Sequence, residues 1–166
     1  MSENREIKLF DKQFSRKEFD CGNDVLNRYL KQQLSQDIKK RLAVAYVLLE
    51  MDKIIGFYTL SASAINISDL NEQLAKRLPK YPLVPVSLLG RLAIDKNYQK
   101  QGLGDLLLMD ALYRCSISAK QVASLAVVVD AIDEKAEDFY QRYGFETLTN
   151  GQLFLAMQTI ETLFLL

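Results

Sequence analysis

Apolar positions along this chain switch between two spacings, and the switches mark its elements. Ile7 to Phe10 reads as a short first strand. Leu26, Tyr29, Leu30, Leu34 and Ile38 recur at steps of three and four, which predicts an amphipathic helix entered through Cys21-Gly22-Asn23-Asp24 and running to Lys40. Val44 to Met51 and Ile54 to Ile65, joined at Asp52-Lys53, read as a hairpin of strands rich in Val, Ile, Tyr and Phe. Ser68-Asp69 is expected to cap a second helix with Leu70, Leu74 and Leu78 on one face, ending before Pro79. Pro79, Pro82 and Pro85 make the following connector stiff and extended. A central strand is expected over Val86 to Asp95 and a helix from Leu103 to about Ile117. The apolar run Gln121 to Val129 predicts a strand covered on both faces, followed by a helix over Asp133 to Tyr143. Phe145 to Leu148 and Leu153 to Gln158 pair as a last hairpin around Asn150-Gly151, and the apolar tail Thr159 to Leu166 packs on the core. This order predicts an α/β fold with a mixed sheet.

A length of 166 residues fits one domain spanning 1–166. Charges balance at 21 basic and 21 acidic residues, so net charge gives no reason to expect nucleic acid. Their distribution changes that picture. Asn71 to Lys100 holds six Lys/Arg against Glu72 and Asp95, and Asp130 to Glu146 holds six acids against Lys135 and Arg142. Met1 to Lys8 is polar and charged, and no apolar run approaches the ~18 residues of a membrane span, so a cytoplasmic protein is expected. Cys21 and Cys115 have no metal or redox spacing, and with no histidine a His-based triad or His-ligated metal is excluded; no metal is expected.

The chemistry concentrates in Leu88 to Leu112, where the central strand meets a turn and then a helix. Gly102 and Gly104 allow close backbone approach, and free N–H groups at a helix start suit a phosphate. The Gly-Lys-Ser/Thr of a Walker loop is absent, and Leu107 stands where a Rossmann fingerprint needs its third glycine. The pattern present is Gln99-x-x-Gly102-x-Gly104. With the preceding LGRLAID strand and the downstream run from Ala136 through Phe139-Tyr140, Arg142 and Gly144-Phe145, it resembles the pyrophosphate signature of the GNAT acyltransferases.

That resemblance implies the GNAT fold, with a V-shaped splay between two central parallel strands flanked by helices, and acetyl-CoA lying in the V. It implies that the backbones of Leu92, Ala93 and Ile94 hold the pantetheine arm, that the Ile94 N–H is an oxyanion donor, and that backbone N–H groups of Gln99, Lys100, Gln101, Gly102, Leu103, Gly104 and Asp105 hold the pyrophosphate. Tyr140 falls where many family members keep a tyrosine beside the sulfur; a phenol of pKa ~10 can protonate a departing thiolate. Its alternative is a plain buried aromatic pair with Phe139.

Phe19-Asp20-Cys21-Gly22-Asn23, Gly56-Phe57-Tyr58-Thr59-Leu60-Ser61 and Arg77-Leu78-Pro79-Lys80-Tyr81-Pro82 narrow the likeness to the GNAT toxins of toxin–antitoxin pairs. The implied activity is acetylation of the α-amine of aminoacyl-tRNA, which blocks translation. The implied partners are that tRNA, a ribbon-helix-helix antitoxin and a second copy in a homodimer. Lys76, Arg77, Lys80 and Arg91 are candidates for tRNA contact, a solvated face being the alternative. No general base stands out among Glu50, Asp95, Asp130 and Asp133, which favours an α-amine already partly neutral at cellular pH. A GNAT enzyme acting on a protein N-terminus or a small amine is the alternative function.

Overall fold

Strand formation follows the β-branched and aromatic runs closely. In the computed structural model, which describes residues 4–165, β1 (Arg5–Leu9), β2 (Val44–Glu50), β3 (Lys53–Asn66), β4 (Leu83–Ile94), β5 (Ala126–Val129), β6 (Glu146–Thr147) and β7 (Leu153–Ala156) form one mixed sheet in the order β1-β2-β3-β4-β5-β7-β6. β1, β2 and β3 run antiparallel in sequence, with Ile55 of β3 bulged opposite the Leu48–Leu49 step of β2. β4 and β5 are parallel, as the family resemblance implies for the two central strands; β7 is antiparallel to both β5 and β6. The parallel ladder covers only Ser87 to Leu89 against Val127 to Val129, and β4 continues past it through Ile94.

Contacts divide the chain into two compact units, one from residues 4–61 and 90–111 and the other from 62–89 and 112–165. The strands β3 and β4 and the helix α4 (Leu103–Ser118) run through both. In the first unit, α1 (Asp24–Arg28), a π-helical turn (Tyr29–Gln33) and α2 (Leu34–Lys39) replace the single regular helix expected, and lay Leu26, Tyr29, Leu30 and Leu34 on Ala45, Val47, Leu49, Ile54, Phe57 and Ala93. Asn23 caps α1 by accepting from the Leu26 N–H. In the second unit, Ile65, Leu70, Val84, Val86, Ala126, Val128, Leu148 and Phe154 form the core. α3 (Glu72–Lys76), α5 (Glu134–Gln141) and α6 (Met157–Thr162) complete the elements.

Several boundaries differ from the sequence expectation, each for a local reason. The second helix is capped by Asn71, whose side chain accepts from the Leu74 N–H; Asp69 instead accepts from Thr149 Oγ1 and ends a 3-10 turn, Ile67–Asp69. The proline connector bends at Pro79, where the Tyr81 N–H donates back to the Pro79 carbonyl, and Pro85 is already inside β4. β5 begins only at Ala126, since the Gln121 and Val122 N–H groups are taken by the Ser118 carbonyl in closing α4. The last hairpin stops at Ala156; Met157 and Gln158 are helical. In the apolar tail Ile160 is buried and Phe164 packs edge-on against Tyr113 at 5.2 Å, but Leu163 and Leu165 are exposed, while Leu166 lies outside the described residues, as do residues 1–3 of the polar N-terminal stretch.

Candidate functional site

The end of β4 is locked in place by two carboxylates. Asp95, expected as the last strand residue, is buried just beyond it and caps the 3-10 turn Lys96–Tyr98 by accepting from the Asn97 N–H at 2.9 Å and the Asp20 N–H at 3.1 Å. Asp20 answers by accepting from the Gly22 N–H and Asn27 Nδ2, both at 2.9 Å, and from the Lys96 ammonium at 3.0 Å. The Gly22 N–H, then Asn27 and Lys96, hold its carboxyl down at about 2.

Gln99, the first residue of the glycine signature, has a definite structural task. Its Nε2 donates to the Ile94 carbonyl at 3.0 Å and to the Cys21 carbonyl at 3.3 Å, tying the loop to the strand end. A second set of contacts holds the other side: the Tyr98 hydroxyl donates to Glu50 at 2.6 Å, and Arg5 reaches Glu50 at 3.4 Å and Gln101 Oε1 at 3.1 Å. Arg5 and Lys53 both lie over the Tyr98 ring. Between these anchors Lys100 and Gly102 take positive φ, 65° and 75°. No atom lies within 4 Å of where a Gly102 Cβ would stand, so the glycine answers to its φ and not to crowding. Among the described residues no N–H from Gln99 to Gly102 donates to a backbone carbonyl, and α4, with Gly104 and Asp105 in its first turn, follows at once. Alternating left-handed residues and orphan N–H groups at the start of a long helix form a cradle for an anion.

Along β4 the alternation of side chains separates two faces. Ala93 packs with Tyr29 and Leu30, whereas Ile94 points at Gly56 and shares that spot with Leu107 of α4. Leu92 is half-buried, and the Arg91 guanidinium stacks on the Tyr29 ring, 3.5 Å from its centre.

In the second unit Asp133 caps α5 by accepting from the Ala136 N–H at 2.8 Å, and Gly144, with φ 95°, turns the chain out of it. Tyr140 is buried, 7% exposed, with its ring edge-on to Phe139 and Phe145. Burial pushes its phenol pKa up and keeps the proton on. Among the described residues its hydroxyl makes no hydrogen bond. Lys76, Arg77 and Lys80 are exposed; Arg77 lines an open cleft of about 260 Å³ with Gln73, Glu146, Phe154 and Thr159. They belong to the second unit and Arg91 to the first. The four acids considered as bases are all engaged: Glu50 and Asp95 as above, Asp133 as a cap, and Asp130 accepting from Gln152. The roles of Arg5, Glu50 and Tyr98 carry no sequence signal, because they meet only through pairing of distant segments.

Residues 84–158 match the family model of the acetyltransferase (GNAT) domain. A tRNA-acetylating toxin of Mycobacterium tuberculosis is 30% identical over 139 residues, covering 84% of this chain and 82% of that protein. Among solved structures, a tyrosine-to-phenylalanine variant of KacT superposes with a TM-score of 0.92 at 33% identity, over 98% of this chain and 100% of that one. AtaT complexed with acetyl-methionyl-tRNAfMet does so with a TM-score of 0.89 at 30% identity, over 97% and 99%. AtaT is also solved, as a tyrosine-to-phenylalanine variant, with acetyl-CoA and the C-terminus of its antitoxin AtaR, at a TM-score of 0.85 and 27% identity over 99% and 100%. With an extensively matching toxin relative and the matching architecture, the chain belongs to the GNAT acetyltransferases, in the family of the GNAT toxins.

Proposed function

We propose that this protein transfers the acetyl group of acetyl-CoA to the α-amine of aminoacyl-tRNA and acts as the translation-blocking toxin of a toxin–antitoxin pair. The observation that carries the reading is the anion cradle at Gln99 to Gly102, tied by Gln99 to the carbonyl of Ile94, in a chain 30% identical to a tRNA-acetylating toxin. Acetyl-CoA brings an activated thioester. The N–H groups of Gln99 to Asp105 receive its pyrophosphate, and the main chain of Leu92 to Ile94 aligns its pantetheine arm. The Ile94 N–H donates to the oxyanion; the Tyr140 hydroxyl, kept protonated by burial, gives its proton to the departing thiolate, and the proton released by the attacking amine restores the phenol. Removing Arg77, Lys80 or Lys76 is expected to weaken tRNA binding without altering the cradle. By likeness to AtaT with AtaR, the partner is an antitoxin; the resemblance to the GNAT toxins implies that it is of the ribbon-helix-helix type and that a second copy of the chain completes a homodimer, with the cytoplasm as the proposed place of action. No described helix is long and apolar enough to cross a membrane.

The test supplies labelled acetyl-CoA with charged tRNA, the same tRNA stripped of amino acid, and a cell protein extract, using the protein and its Tyr140→Phe variant. Label on charged tRNA alone, lost in the variant, is the expected result. A second reading, acetylation of a protein N-terminus or small amine, is favoured by one observation, the balance of 21 basic and 21 acidic residues. Label on protein with tRNA untouched would establish it.

A further inference from the structure

Arg91 is held in an arrangement that the catalytic scheme above does not use. Its guanidinium stacks on Tyr29 at 3.5 Å, and the Tyr29 hydroxyl donates to the Asp37 carboxylate at 2.7 Å. Gln33 Nε2 holds the same carboxylate at 3.0 Å. A phenol donating to a carboxylate has a more electron-rich ring, and such a face binds a cation more strongly. Tyr29 and Gln33 bound the π-helical turn, in which the Leu34 N–H reaches back to the Tyr29 carbonyl, and such turns recur where a helix has been re-aimed for function. Asp37 also accepts the Leu42 N–H on its own carbonyl at 2.8 Å, closing α2 through Arg41 at φ 63°. A β-carbon-bearing residue in that left-handed position is strained, and here it places Lys39, Lys40 and Arg41 together at the exposed end of the helix.

Arg91 is half-buried on β4, directly before Leu92 to Ile94 and on the face opposite the Ile94 side chain. Among the described residues it forms no ion pair and donates no hydrogen bond, so the ring covers one face while the fork of N–H donors stays open. A planar, stacked guanidinium with an open fork is built to take two oxygens of one phosphate, which a lysine ammonium is not. We infer that Arg91 grips a phosphodiester of the acceptor next to its aminoacylated end, that Tyr29 is its positioning residue, and that Lys39, Lys40 and Arg41 extend the cationic track. This rests on the aminoacyl-tRNA reading and adds what distinguishes that substrate from a free amine.

The experiment measures kcat/KM for two acceptors, charged tRNA and an aminoacyl-adenosine that carries no phosphate, across a salt series, with the wild-type chain and the variants Arg91→Gln, Arg91→Lys and Tyr29→Phe. Calorimetric binding of coenzyme A serves as the folding control. Arg91→Gln is expected to lower the preference for charged tRNA over aminoacyl-adenosine by about tenfold or more. It should also flatten the log–log salt dependence by about 0.7, the value for one single-strand phosphate. Arg91→Lys should recover part of the preference and most of the salt slope, and Tyr29→Phe should fall between wild type and Arg91→Gln. Equal losses on both acceptors, or an unchanged salt slope, would overturn the inference and leave the aminoacyl-tRNA reading standing. A wild-type chain that acetylates aminoacyl-adenosine but not charged tRNA would overturn both.

Discussion

Gly56 touches the strand end on which the proposed chemistry depends, and this contact supports a quantitative test. A Cβ built there would lie 2.7 Å from Ile94 Cδ1, 3.1 Å from Leu107 Cδ1 and 3.2 Å from the Ala93 carbonyl. All three are closer than ordinary van der Waals contact, and the third is backbone that moves only if β4 moves. Gly56→Ala therefore overpacks a site whose neighbours Ile94, Leu107 and Ala93 are buried, a change that costs about 1–3 kcal/mol. At roughly 2–4 °C per kcal/mol for a chain of this size, Tm should fall by about 2–12 °C. Ile94→Val removes the atom in the worst clash. Alone it should cost about 1 kcal/mol, but in the Gly56→Ala background it should cost much less, leaving a favourable coupling of about 1 kcal/mol. Urea unfolding of the four proteins of this cycle gives the coupling, and acetyl transfer measured in parallel should fall in Gly56→Ala as the Ile94 N–H is displaced. Strict additivity of the two substitutions, or a Gly56→Ala protein as stable and active as wild type, would refute the packing argument.

Gln99→Ala removes both bonds from the loop to the Ile94 and Cys21 carbonyls, and should raise the coenzyme dissociation constant about three- to tenfold in calorimetry while changing stability by no more than about 1 kcal/mol. The Asp20 carboxyl is held at about 2 in the folded protein against an ordinary 3.8. The stability it contributes is thus complete above that ordinary value and is lost as pH falls from there toward 2, so Asp20→Asn should flatten the acid limb of a urea-midpoint profile in that window. Tyr140 has its pKa raised by burial, so kcat/KM should rise with pH as the acceptor amine loses its proton, near or below the ~7.7–8.0 of a free α-amine, and should show no decline from phenol ionisation below pH ~10. A fall of kcat/KM in the wild-type protein setting in well below pH ~10 would contradict the burial argument.

Much of this protein is legible in one dimension because its signals are short-range. The period of Leu26, Tyr29, Leu30 and Leu34 dictates a helix; Val, Ile and Tyr runs dictate β2 and β3; and Gly102, of the residue type that takes its positive φ without strain, marks the loop before α4. The π-helical turn inside the first helix is invisible to that period, since one extra residue per turn leaves the apolar face nearly intact. Capping by Asn71 and not Ser68-Asp69 was equally hidden, since each offers a suitable side chain and only the tertiary pull of Thr149 on Asp69 decides between them.

Local propensity and spacing in the sequence alone thus determined the α/β order and the glycine loop before α4, while the parallel central pair β4 and β5 came from the family resemblance that the loop motif carries. Tertiary structure decided how that loop is held and which charges remain free. Gln99 finds the Ile94 carbonyl, Tyr98 finds Glu50, and Arg91 finds the face of Tyr29 only when segments far apart in the chain are brought together. Hydrogen bonds and cation–ring contacts depend on distances of a few ångströms between such segments, and no spacing along the chain encodes those distances.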